Sequence, residues 1–149
     1  IELIEPEETN ATDLFAPQGG DGRPTFCLIT DAGQFTETMI PYVQRARYLV
    51  IEANYDRELL DNGPYPLYLR KRISGGRGHM DNRLTAEALK QHLTPETRRV
   101  WLCHLSAENN NPETARRTVA EAIDALPFAE RPRLDVLRRT VPSGLERLV

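Results

Sequence analysis

Three apolar runs in this 149-residue chain end in side chains that can hold a metal ion or move a proton. "TFCLIT" runs out at Asp31, "YLVIEANYD" carries Glu52, Asn54 and Asp56, and "VWLC" stops at His104. A neutral imidazole donates nitrogen to a divalent ion and an ionised Asp can bridge two ions, so Asp31 and His104 together suit a metal. They do not complete a site, because a catalytic zinc takes about three protein ligands and a water. Each also has a plainer reading. An Asp after a strand commonly caps a helix, and His104 could be a core-edge histidine bonded to a carbonyl. His79 follows the glycines of "SGGRGHMDN", where exposure to solvent is the default, and His92 reads as the surface residue of a helix. Those glycines could cradle a phosphate, but no Lys and Ser/Thr follow them in P-loop order. Cys103 and His104 point to opposite sides of a regular strand, which argues against a joint Cys/His nucleophile.

The order of elements decides whether these residues meet. Phe26–Ile29 is short, apolar and bounded by turn signals, the pattern of a buried strand. Phe35, Met39, Ile40, Val43 and Ala46 recur at helical spacing, with Thr36 or Asp31 as cap candidates. A second buried strand covers 48–53, and strand, helix and strand within about 30 residues make a βαβ unit with parallel strands. A short helical turn over 57–60 and the segment "YLRKRI" lead into the glycine-rich loop. A helix over 85–93 follows, with Leu84, Ala88, Leu89 and Leu93 facing inward. The third buried strand is 99–103, and a helix capped by Asn111 opens at Pro112 and runs to about 126. A strand near 134–137 and a tail complete the segment 127–149. The fold class is therefore α/β with a largely parallel sheet, whose strand ends share the edge where open α/β sheets bind ligands. Upstream, 1–4 reads as a short strand and 9–24, with three glycines and two prolines, as a loop.

Bulk properties narrow the class. The length suits one domain, and 40% hydrophobic with 28% charged residues are globular values. No run approaches the roughly 18 apolar residues of a membrane span, and no export signal opens the sequence. Cys27 and Cys103 each lie inside an apolar run, so no disulfide framework is expected and a cytoplasmic location fits. A net charge of -3 argues against an overall polyanion-binding surface. The distribution is uneven, however: Arg70, Lys71, Arg72 and Arg77 sit together without an acid, and Arg131, Arg133, Arg138, Arg139 and Arg147 enrich the C-terminus. The chain opens on Ile1 rather than Met and reads as a piece of something longer.

"LITDAG", "YLVIEANYDRELLDNGPYP", "GRGHMDN" and "VWLCHLSAENNNPETA" come in that order over about residues 25–120. Together they resemble the second half of a metallo-β-lactamase-fold hydrolase, most of all one of the YycJ (also WalJ) group. The resemblance implies a sandwich of two β-sheets between helices, αββα, of which 1–149 is the C-terminal half. It also implies a dinuclear centre at the strand ends for two divalent ions, zinc or manganese. Asp31 matches the bridging carboxylate and His104 the last metal-binding histidine. His79 falls where related tRNA 3′-end-processing ribonucleases place a histidine that assists phosphodiester cleavage. Glu52, Asn54 and Asp56 match a supporting polar segment. Arg70, Lys71, Arg72 and Arg77 become phosphate contacts, although a solvated basic loop fits them equally. The implied activity is that of a nuclease or phosphodiesterase, DNA exonuclease action in particular, by a metal-activated hydroxide. Hydrolysis of thioesters, lactones or lactams stays open within the superfamily, and a non-catalytic interaction domain or partner subunit stays open outside it.

The chain departs from the family in two places. His-x-His-x-Asp-His, the main metal-binding motif, is absent, as is the separate histidine that follows it; His79, His92 and His104 are the only histidines. Asp81 stands where family members generally have Ser, and an acid there lowers the local positive potential. The expectation is a chain that binds metal weakly and turns over little by itself. Its partner is a metal-binding N-terminal half, on the same gene or a separate chain, with nucleic acid as the substrate and no membrane involved.

Overall fold

Alternation of β-branched and leucine-rich runs with amphipathic segments gives four strands and five helices among the described residues, which are 25–144 and 148 of a computed structural model. The expected strand at 1–4 and loop at 9–24 lie outside them. Strands β1 (Phe26–Ile29), β2 (Tyr48–Glu52), β3 (Arg99–Cys103) and β4 (Arg133–Val136) are all parallel, in the order β1-β2-β3-β4. Register puts Ile29 opposite Ile51, Ile51 opposite Leu102 and Leu102 opposite Val136. Asp31 and His104 each follow their register residue by two positions, and Glu52 follows by one. The three therefore leave the sheet at one edge.

Helix termini are set by local chemistry. A 3₁₀ turn over Glu37–Met39 runs into α1 (Ile40–Arg45). Asp56 caps α2 (Arg57–Asn62), accepting from the backbone N–H of Glu58 and Leu59. Helix α3 (Leu67–Ile73) holds the basic "YLRKRI" segment, so Arg70, Lys71 and Arg72 lie on a helical turn rather than in a loop. Asp81 caps α4 (Asn82–His92) through the N–H of Leu84, so this helix starts three residues before the expected boundary. Asn111 caps α5 (Pro112–Asp124) through the N–H of Thr114, with proline in the first turn, as its sequence predicts. Thr36 and Asp31 make no such cap: Thr36 flanks the 3₁₀ turn without a capping bond, its hydroxyl sharing a hydrogen bond with that of Thr38 at 2.8 Å, and Asp31 belongs to the strand-end site.

The main core joins Val43 of α1, Leu89 of α4 with Leu93 just past its end, and Val119 and Ile123 of α5 to Ile29, Leu49, Ile51, Val100, Leu102 and Leu134 of the sheet. Alternate residues Tyr48, Val50 and Trp101 make a second cluster on the opposite face, with Cys103, Leu137 and Leu148. Two expectations change. β1 is an edge strand, and Phe26 and Leu28, on the side away from the main core, are 53% and 58% exposed, so only Ile29 is buried. On α4, Leu84 is 36% exposed, and Thr85 takes the inward position, its hydroxyl donating to the Glu52 carbonyl at 2.7 Å.

Candidate metal centre at the strand ends

β1 and β3 both turn off the sheet through a left-handed residue, Asp31 at φ 56° and His104 at φ 55°. Among the described residues these are the non-glycine positions with positive φ. For an L-residue this backbone costs about 1–2 kcal/mol, and such strain persists where surrounding structure enforces it. At His104 the enforcing contacts are visible. Its carbonyl accepts from Asn54 Nδ2 at 2.6 Å, and the Asn54 carbonyl accepts from Ser106 N at 2.7 Å.

His79 arrives from a different part of the chain by close backbone packing. A Cβ on Gly33 would lie 2.5 Å from the Gly76 carbonyl and 2.6 Å from the Gly78 nitrogen, so only glycine lets the turn after β1 nest against the 76–78 turn. His79 N donates to the Ile73 carbonyl at 2.9 Å, and Asn54 N donates to that of fully buried Met80 at 2.9 Å. These contacts fix the loop on both sides of the imidazole. Gly76 and Gly78 of "SGGRGH" thus have a packing role.

The result is a cluster of one carboxylate and two imidazoles. Potential ligand atoms of Asp31, His79 and His104 all lie within 4.8 Å of one another. Asp31 Oδ1 is 3.7 Å from His104 Nδ1 and 4.0 Å from His79 Nδ1, and the imidazole rings stand edge to face with centroids 5.0 Å apart. Nitrogen and oxygen ligands about 2.0–2.2 Å from one tetrahedral ion sit roughly 3.4 Å apart, a separation that Asp31 Oδ1 and His104 Nδ1, at 3.7 Å, come near. The donor set fits a divalent cation. His79, expected to act on the substrate, stands with Asp31 and His104 as a third possible donor.

Beneath the cluster lies Glu52, with no exposed surface. Its Oε1 is 2.8 Å from His79 Nδ1 and its Oε2 is 3.5 Å from His104 Nδ1, while Ala32 N donates to Oε2 at 3.3 Å. The His79 contact has ion-pair distance without hydrogen-bond alignment, and Oε1 and Nδ1 are both buried and otherwise unpartnered. Buried polar atoms left in this state are rare, and they concentrate at sites prepared for a ligand or for proton transfer. A carboxylate touching two imidazoles also orients the rings, as carboxylates behind metal-bound histidines do. No motif in the sequence distinguishes Glu52 from Asn54 or Asp56; register alone places it here.

The other singled-out residues separate from this cluster. Asp56 is occupied as a helix cap, and Asn54 braces the His104 turn. Arg70 donates to the Asp61 carbonyl. Lys71, Arg72 and Arg77 are exposed, and no hydrogen bond or ion pair ties any of the four basic residues to the cluster. His92 is half-buried against Phe35, with rings stacked at 5.3 Å, rather than free on the surface. Cys27 and Cys103 are free thiols. Burial, then the nearby carboxylates of Glu52 and Asp31, push Cys103 up to about 11, which leaves it a neutral thiol and a poor nucleophile. The asparagines after His104 form scaffolding: Asn110 and Asn82 exchange amide hydrogen bonds at 2.9 and 3.1 Å, and Asn110 Nδ2 also reaches the carbonyls of Ala53 and Asn54.

No family model matches the chain. Over 101 residues, 68% of its length, it is 37% identical to a Bacillus anthracis protein named exodeoxyribonuclease YycJ, of which this stretch covers 38%. Over 99 residues it is 38% identical to the exodeoxyribonuclease WalJ of Streptococcus pneumoniae serotype 2 (strain D39), covering 37% of that protein. The chain is a homologue of the YycJ/WalJ group. That group has the metallo-β-lactamase fold, and a parallel α/β layer with its strand-end cluster is consistent with part of it. The chain spans less than two-fifths of the length of these YycJ and WalJ relatives. No helix among the described residues is long and apolar enough to cross a membrane.

Proposed function

We propose that this chain is the C-terminal half of a metal-dependent nuclease of the YycJ/WalJ kind, hydrolysing phosphodiester bonds in DNA from an end. The observation that carries the reading is the convergence of Asp31, His79 and His104 on one point, two of them on strained backbone, in a homologue of proteins named exodeoxyribonucleases. Asp31 and His104 hold divalent metal, zinc or manganese, which supplies Lewis acidity toward water and a phosphoryl oxygen. Asp31, with two-thirds of its side chain exposed, faces the substrate side. His79, 29% exposed, stands where its ring can pass a proton to or from the reacting group. Glu52 lies against that ring from below, its Oε1 2.8 Å from Nδ1. The remaining metal ligands, and a second ion, belong to the N-terminal half. At the β1 edge of the sheet, exposed Phe26 and Leu28 offer that half an apolar surface to pack on.

The test uses the full-length protein. Manganese- or zinc-dependent release of nucleotides from an end-labelled oligodeoxynucleotide is expected. Asp31→Ala or His104→Ala should lower it on the order of a thousandfold, the several kcal/mol a metal contributes. Undiminished biological function in both variants would move the reading to a non-catalytic domain, and preferential turnover of a thioester or lactone would replace DNA as the substrate.

A further inference from the structure

A cleft of about 710 Å³ opens beside the metal cluster, between the His104 turn and the segment 137–141 that follows β4. His104 itself forms part of its wall, so whatever fills the cleft lies next to the cluster. Leu105, Leu137 and Val141 supply apolar walls, Arg138 and Arg139 supply positive charge, and no acidic residue among the described ones lines it. The volume falls in the roughly 300–1,000 Å³ range of small-molecule sites.

The two arginines differ from the others near this strand. Arg133 and Arg99 pair with Asp135, and Arg98 pairs with Glu130. Arg139 instead donates one N–H to the Leu105 carbonyl at 2.7 Å, which ties the two sides of the cleft together and, among the described residues, leaves most of its fork of donors without a partner. Arg138 is exposed and makes no hydrogen bond or ion pair among the described residues. A guanidinium pairs bidentately with phosphate oxygens, and an apolar wall accepts the face of a base.

From this we infer that the cleft is the subsite for the nucleotide adjoining the scissile phosphodiester, with Arg138 and Arg139 gripping its phosphate and the Leu105, Leu137 and Val141 wall taking its base. The assignment rests on the nuclease reading and names the part of that site that holds the strand. It adds Arg138 and Arg139 to Arg70, Lys71, Arg72 and Arg77 as proposed phosphate contacts.

Affinity of the full-length protein for a fluorescent single-stranded oligodeoxynucleotide, measured in EDTA over a series of salt concentrations, tests the inference separately from catalysis. Arg138→Ala, which breaks no hydrogen bond or ion pair among the described residues, should weaken binding roughly five- to tenfold at low salt and lower the slope of log affinity against log salt by about one. Arg139→Ala should do the same, with unchanged circular dichroism showing that the fold survives. Arg131→Ala, at the opposite end of β4, should leave binding unchanged. If the wild type cleaves DNA with metal yet Arg138→Ala binds like the wild type, the subsite is wrong and the nuclease reading stands. If the wild type cleaves no DNA at all, the nuclease reading falls and takes the subsite with it.

Discussion

Asn54, Asn82 and Asn110 form one polar cluster at the C-terminal edge of the sheet; Asp31, Glu52, His79 and His104 form another, joined to the first where Asn54 Nδ2 meets the His104 carbonyl. Both are rich in groups that are costly to bury. In the asparagine cluster the amides are answered, Asn82 and Asn110 by each other and by the backbone of β2's exit. In the second cluster two buried atoms face each other at 2.8 Å without a hydrogen bond, and two residues sit on left-handed backbone. Asn109 Oδ1, beside the first cluster, is also buried without a hydrogen-bond partner, so the second cluster is set apart by the combination of facing ionisable groups and left-handed backbone rather than by an unpartnered atom alone.

The comparison breaks most visibly at Asn110. Asn110→Ala should cost about 3–5 kcal/mol, because it strands the Asn82 amide and two buried carbonyls at roughly 1–3 kcal/mol each. Denaturant unfolding measures this, and a loss below about 1 kcal/mol would show that the asparagine cluster is not the scaffold. Next in size is Glu52→Gln, which keeps shape and removes charge. In the full-length protein it should weaken metal affinity roughly 10–100-fold, the usual effect of altering a carboxylate behind metal-binding histidines. Competition with a chromogenic chelator reads this directly, and unchanged affinity would make Glu52 a buried structural acid. Third is His104→Gly. Glycine occupies positive φ freely, so stability should rise by about 1 kcal/mol while the metal site is lost. A fall in unfolding free energy would mean that His104 is held for packing.

What the sequence reveals follows the same division. β2, β3, α5 and its Asn111 cap were readable because strongly periodic apolar runs and a single capping side chain determine them locally. β1 was readable as a strand but not as an edge, since exposure of Phe26 and Leu28 depends on which neighbours the sheet has. At the site, Asp31 and His104 stood out as polar ends of apolar runs. The approach of His79 did not, because it depends on Gly33 nesting against Gly76 and Gly78, far apart in sequence. Glu52 was visible as a polar residue in a strand, yet its contact with two imidazoles depends on strand register. The cleft at Arg138 and Arg139 was hidden for the same reason, since only the tertiary fold brings 137–141 against 103–107.

The smallest expected effect concerns Asp81, the acid standing where the YycJ/WalJ-like pattern has Ser. Its Oδ1 accepts from Leu84 N at 2.7 Å, so the carboxylate is engaged at the start of α4. Ser caps helices about as well as Asp. Asp81→Ser should therefore change stability by less than about 0.5 kcal/mol, whereas Asp81→Ala should cost about 1 kcal/mol. If the cap is the whole of its role, Asp81→Ser will also leave the pH profile of the proposed DNA cleavage by the full-length protein where it was. A profile displaced in Asp81→Ser while stability holds would instead show that the charge of Asp81 reaches His79, only two residues away, and that the boundary between scaffold and site runs through the first turn of α4 rather than before it.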